Sequence, residues 1–185
     1  MGKIEKRPST ILMPLPAALI TCSYRDEKPN IITLSWIGIV CSDPPMLSIS
    51  VRQNRYSYHM IKNSGEFVVN LTFENNHKEV DFCGTKSGRQ YDKFKEMGLT
   101  PLKGSIVMAP LIKECPINHE CVVKSSQLLG SHEMFVADIV KTHVDAEILD
   151  ENGKIDPARV FPLAYHAGTW EYRKTGEILS TYRKS

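Results

Sequence analysis

No run within the 185 residues is apolar for the roughly 20 positions that a membrane-spanning helix needs. The apolar stretch that follows Arg7 is interrupted by Pro14 and Pro16, and charge resumes at Arg25. It reads as an arm leading into a first strand, not as a secretion signal or a membrane span. Lys6 stands where a myristoylation motif wants Ser or Thr. Charge of one sign is equally scarce, because 23 Lys and Arg face 21 Asp and Glu, a net +2. That excludes the broad basic footprint of a nucleic-acid or anionic-lipid binder, so any anion is bound locally. The five cysteines, Cys22, Cys41, Cys83, Cys115 and Cys121, are odd in number and show no CxxC spacing. Reduced thiols and a cytoplasmic address are the expectation.

Several familiar sites are missing too. Cys83 to Phe94 (CGTKSGRQYDKF) has glycines and cations but not the spacing of a nucleotide phosphate loop. Asp150 to Asp156 lacks the acidic ligands of a calcium loop and reads as an Asn-Gly turn. His119 and Cys121 share a face of an extended Ile117 to Cys121, but the spacing fits no zinc finger, so a core strand is expected there and no metal. No Ser-His-Asp or Cys-His pattern calls for a protein nucleophile.

What is present begins with strands. Ala17 to Ser23, Ile31 to Cys41 and Met46 to Val51 read as the first three, the last two joined by a tight Asp43-Pro44-Pro45 turn. Tyr56 to Asn63 has helical spacing closed by Asn63-Ser64-Gly65, and Phe67 to Leu71 is again extended. Asn75 to Cys83 and the stretch before Gly98 read as short helices. Ile106 to Ile112, Asn118 to Leu129, Glu133 to Ala146 and Phe161 to Tyr172 read as strands, rich in β-branched and aromatic residues. Without a β-α-β rhythm, a doubly wound sheet is disfavoured. A mainly β single domain over residues 1–185, an antiparallel barrel with short helices, is the expected fold.

The densest chemistry lies between Asn30 and Ser57. Thr33, Ser35, Ser48 and Ser50 place hydroxyls in otherwise apolar strands, where each needs a partner. Arg52 and Arg55 precede Ser57 just before a helix start, whose free amides favour an anion. Without a ligand, these hydroxyls satisfy one another and Trp36 is core. With one, Trp36 offers a flat face and the guanidiniums a phosphate clamp. His132, after Gly130-Ser131, matters only if its turn overhangs the same pocket.

The motifs Asn30-x-x-Thr33-x-Ser35-Trp36, Ser50-Val51-Arg52 with Tyr56-Ser57, Gly65-Glu66-Phe67, Cys83-Gly84-x-x-Ser87-Gly88-Arg89, Ala109-Pro110-Leu111 and Gly130-Ser131-His132 occur in order over nearly the whole chain. In these the sequence resembles the flavin reductase-like family, and within it the flavoredoxin branch. The resemblance implies an FMN-binding split barrel, antiparallel and of Greek-key type, and a homodimer. It implies noncovalent FMN lined by Asn30, Thr33, Ser35, Trp36, Ser50, Val51, Arg52, Ser57, Ser87, Lys93, His132 and Tyr165. Lys93 and His132 are the residues expected beside the flavin ring. NADH or NADPH is the implied reductant. The alternative is an electron carrier reduced by a partner protein. The sequence departs from the family's usual pattern at His119 and at His166 to Trp170.

Overall fold

The computed structural model describes residues 2–180. Its first strands are β1 (Leu15–Pro16), β2 (Ala18–Cys22), β3 (Asn30–Leu34), β4 (Ile37–Ser42) and β5 (Pro45–Arg52). Helix α1 (Tyr56–Ser64), strand β6 (Glu66–Leu71) and helices α2 (His77–Thr85) and α3 (Lys93–Met97) follow. The second half adds the short pair β7 (Pro101–Leu102) and β8 (Leu111–Ile112), then the long hairpin β9 (Ile117–Leu129) and β10 (His132–Val144). A separate hairpin of β11 (Leu163–His166) and β12 (Glu171–Lys174) comes last, and β1 pairs with β11.

Seven strands form one antiparallel sheet in the order β3-β2-β6-β9-β10-β5-β4. β3 and β4 stand at opposite ends of that order, yet only Ser35 and Trp36 separate them in the chain. The ends of a flat sheet of this width would lie about 29 Å apart at the usual strand spacing, far beyond a two-residue link. The sheet therefore curls on itself and brings β3 back against β5 at the seam, while the Ser50 amide, donating to the Trp36 carbonyl at 3.0 Å, extends the β4–β5 ladder up to it. The expected single strand from Ile31 to Cys41 is thus two strands with different partners. Nor is its second half buried, for Gly38, Ile39 and Val40 are exposed.

Alternation explains the layers. On β2, Ala18, Ile20 and Cys22 join Ile49, Val51, Phe67 and Phe135 in the barrel interior, while Leu19 points the other way. That second face packs with Ile31 of β3 against Val80 of α2, Phe94 of α3 and Leu163 of β11. The first two long strands are therefore sandwiched between the barrel core and a helical layer. Met60 and Ile61 plug α1 into the barrel, and Gly65 ends the helix at φ 71°, where a side chain would be strained. Gly98 ends α3 in the same way.

Two further expectations are corrected. Ile106 to Ile112 is not a strand except at Leu111–Ile112. The amides of Ser105, Ile106 and Val107 instead donate to the buried Glu120 carboxylate at 2.9, 2.7 and 2.8 Å, so a side chain replaces the ladder. Phe161 to Tyr172 is a hairpin, not one strand, because the chain reverses between His166 and Glu171.

Candidate functional site

The seam of the barrel and the helical layer enclose a cleft with two connected parts that share Ile32, Arg55, Gly84 and Thr85. The inner pocket, about 200 Å³, lies at the amino end of α1. The outer chamber, about 470 Å³, opens toward the β11–β12 hairpin. Together they have the size of a small-molecule site.

The inner pocket is built for an anion. Arg55 is the N-cap residue of α1, no side chain caps the helix, and its first turn holds no acid. Arg55, Lys86 and Lys93 line the pocket and no carboxylate does. The helix end and the cations thus favour negative charge together. Ser57 is buried and its hydroxyl accepts from Asn30 Nδ2 at 2.8 Å. The Lys93 ammonium, only 4% exposed, donates to the carbonyls of Ile31 and Cys83 at 2.6 and 2.7 Å. One of its three N–H groups remains for the pocket. Burial holds its pKa below that of an ordinary lysine. Burial also raises the Cys83 thiol to about 11, so it lines the pocket as a neutral group at neutral pH.

The outer chamber is aromatic and hydroxyl-bearing. Thr33, Ser35, Trp36, Ser50, Arg52, His132 and Tyr165 line it, together with Trp170 and Tyr172. The Thr33 hydroxyl is already committed to the Val80 carbonyl. His132 stands opposite Arg52 in the β10–β5 register, and its ring lies 5.7 Å from that of Trp36. Burial first, then Arg52 and Arg55, lower the His132 pKa, which favours a neutral ring beside Trp36. The Tyr165 and Tyr172 rings lie 5.6 Å apart across β11 and β12.

The structure therefore brings Asn30, Ser57, Ser87 and Lys93 to the inner pocket and Thr33, Ser35, Trp36, Ser50, Arg52, His132 and Tyr165 to the outer chamber. One placement differs from expectation. Val51 is fully buried in the barrel core, because β5 alternates and only Ser50 and Arg52 share the cleft face. Lys93 reaches the inner pocket and not the outer chamber. Asn54, Thr85, Asp81, Trp170 and Tyr172 also line the cleft, though the sequence reading did not place them there. Of these only Tyr172 carries a signal in sequence, as the cross-strand partner that Tyr165 acquires once Phe161 to Tyr172 is read as a hairpin.

A curled antiparallel barrel with a cationic inner pocket and an aromatic mouth defines the class, and comparison identifies the family. The flavin reductase like domain matches residues 10–173, and the chain belongs to that family. An uncharacterized protein of Archaeoglobus fulgidus is 37% identical over 136 residues, which is 73% of this chain and 76% of that protein. The flavoredoxin of Desulfovibrio vulgaris (Miyazaki F) superposes with a TM-score of 0.92 at 31% identity, covering 100% of this chain and 99% of that one. The flavoredoxin of Methanosarcina acetivorans gives 0.90 at 28% identity, covering 100% and 97%. The fold is the split barrel of these proteins.

Proposed function

We propose that this chain is an oxidoreductase that holds FMN noncovalently, with the phosphate in the inner pocket and the ring system in the outer chamber. The observation that carries the reading is the inner pocket itself, where Arg55, Lys86 and Lys93 meet an uncapped helix end without a carboxylate among them. Membership of the flavin reductase-like family supports it. The pocket loop packs closely on the residues around it. A Cβ on Gly88 would overlap the Asn30 side chain and come within 2.7 Å of Tyr56 Cδ1, so the loop can line the pocket there only as glycine.

When bound, the isoalloxazine supplies the redox chemistry, with a reduced nicotinamide nucleotide as the electron source. The protein's own part is placement. Trp36 and the neutral His132 wall the ring side, and Ser35 and Ser50 present hydroxyls beside them. The uncovered edge of β4 supports a homodimer, because Ile39 and Val40 are 69% and 50% exposed there and Trp36 continues that surface to the chamber.

The test is calorimetric titration of the purified protein with FMN, which should give a yellow complex with a dissociation constant in the micromolar range or below. Sedimentation of the same sample should report a dimer. A colourless protein that takes up no FMN at micromolar concentrations overturns the reading. Anaerobic addition of NADH or NADPH should then bleach the complex promptly. Slow bleaching, with fast reduction by a partner protein, identifies a carrier instead. Gly88→Ala should weaken FMN binding by about tenfold or more, equivalent to roughly 1.4 kcal/mol, because Asn30 must leave Ser57 to admit the methyl. Gly84→Ala should cost less, since its Cβ would meet Thr33 Cβ at 3.2 Å, where a small shift relieves the contact.

A further inference from the structure

The chain contains two tryptophans, and both line the outer chamber. They differ in how they are held. Trp36 is 45% exposed and rests beside the His132 ring. Trp170 is 82% exposed and sits at φ 64°, a backbone region that a bulky residue without a short polar side chain rarely enters. An indole left in water on a strained backbone is doubly unfavourable for the isolated fold, and such strain persists where the surroundings over-determine it.

Those surroundings are visible. The Trp170 amide donates to the His166 carbonyl at 3.0 Å, closing the turn between β11 and β12. Gly168 takes φ 110° in the same turn, and Ile11 of the amino-terminal arm packs against it, 3.3 Å from where a Cβ would stand. Trp170 is the last residue of that turn, immediately before β12, and its side chain lines the same chamber as Tyr172. Tyr172 is anchored against Tyr165 on the chamber wall. The hairpin therefore carries the indole to the mouth of the chamber and keeps it there, facing neither the barrel core nor the helical layer.

We infer that Trp170 is a binding face for the co-substrate: a flat ring of the nucleotide entering the chamber from solvent stacks on its indole, with Trp36 and His132 as the fixed wall. The inference rests on the flavin reading of the cleft and goes beyond it, because it assigns recognition of the second ligand to the turn residue Trp170. Stacking on an aromatic side chain suits any flat heteroaromatic ring, and its loss is felt as binding.

The experiment uses the FMN-loaded protein and NAD+, an analogue of the reduced nucleotide whose nicotinamide ring is flat and aromatic and has no hydride to give, titrated calorimetrically. Trp170→Asn tolerates the left-handed backbone and removes the ring, and Trp170→Phe keeps a ring. The expected result is analogue binding about tenfold weaker in Trp170→Asn and within about threefold of the parent in Trp170→Phe. FMN affinity should fall by less than the analogue affinity in both, and sedimentation should be unchanged. In turnover with NADH, Trp170→Asn should raise KM and leave kcat alone, the mark of binding lost equally from ground and transition states. Unchanged analogue affinity in Trp170→Asn overturns the inference. So does a loss accompanied by dissociation of the dimer, which would make Trp170 an interface residue. A parent protein that takes FMN but not the analogue overturns this inference alone, whereas one that takes no FMN overturns the flavin reading and this inference with it.

Discussion

Replacing Glu120 with alanine should lower the melting temperature by about 10 °C, from a loss of roughly 3–5 kcal/mol at some 2–4 °C per kcal/mol for a chain of this size. The carboxylate is fully buried and accepts from three consecutive backbone amides, those of Ser105, Ile106 and Val107. His143 Nε2 lies 2.6 Å from the remaining lone pairs. Alanine would strand all four groups away from water, and a buried donor without an acceptor costs more than the bond was worth. Glu120→Gln should recover part of the loss, because the amide oxygen still accepts from the loop. A melting temperature within 2 °C of the parent for Glu120→Ala, by calorimetry, would show that the loop finds other partners.

The same carboxylate sets a pH dependence. Burial raises the Glu120 pKa, but His143 and the three amides outweigh it and hold the group at about 2 against an ordinary 4.5. Glu133 is likewise held at about 2, chiefly by Lys62 and then by Ser126 and Tyr58. Since both folded values lie below the unfolded ones, their stabilisation is complete above pH 4.5 and disappears as the pH falls toward 2. Glu120 contributes about 3 kcal/mol by this linkage, and Glu133 less, because Lys62 is half exposed and screened. Urea midpoints measured from pH 6 down to pH 3 should fall in the parent and stay flatter in Glu120→Gln.

Glu120 also shows where sequence reading runs out. Ile106 to Ile112 is apolar enough to pass for a strand, and nothing local reveals that its amides are met by a carboxylate more than a dozen positions later. The break at Ser35-Trp36 is hidden for a related reason. Composition continues unchanged through Ile31 to Cys41, while the pairing partner changes from β2 to β5, which is a property of barrel closure and not of the segment. Elements set by local physics were legible: α1 with its glycine stop, α3 before Gly98, and β2 with its two-sided apolar run. The two ends of the cleft were legible as residue types, hydroxyls in apolar strands and guanidiniums before a helix. Val51 shows the opposite case, for Ser50-Val51-Arg52 is contiguous as a motif while β5 alternates, so its middle side chain turns to the core.

Lys93→Met should weaken FMN binding by about 10- to 100-fold, the worth of a charge-assisted contact to phosphate, while leaving riboflavin binding within about threefold of the parent. The contrast follows from position. Lys93 lines the inner pocket with Arg55 and Ser57, and the outer chamber, where the ring would lie, does not include it. Equal losses for FMN and riboflavin would return Lys93 to the ring. Part of any effect is structural, since methionine leaves the Ile31 and Cys83 carbonyls without their donor. Lys93→Gln separates the two, because its amide can still donate to those carbonyls but brings no charge. If charge is what matters, Lys93→Gln should bind FMN as poorly as Lys93→Met while melting closer to the parent. The parent's FMN affinity should also decline as alkaline pH approaches the lowered Lys93 pKa, at a lower pH than an ordinary lysine near 10.5 would produce. The decline should be absent in both variants, and its persistence there would assign the titration to another group.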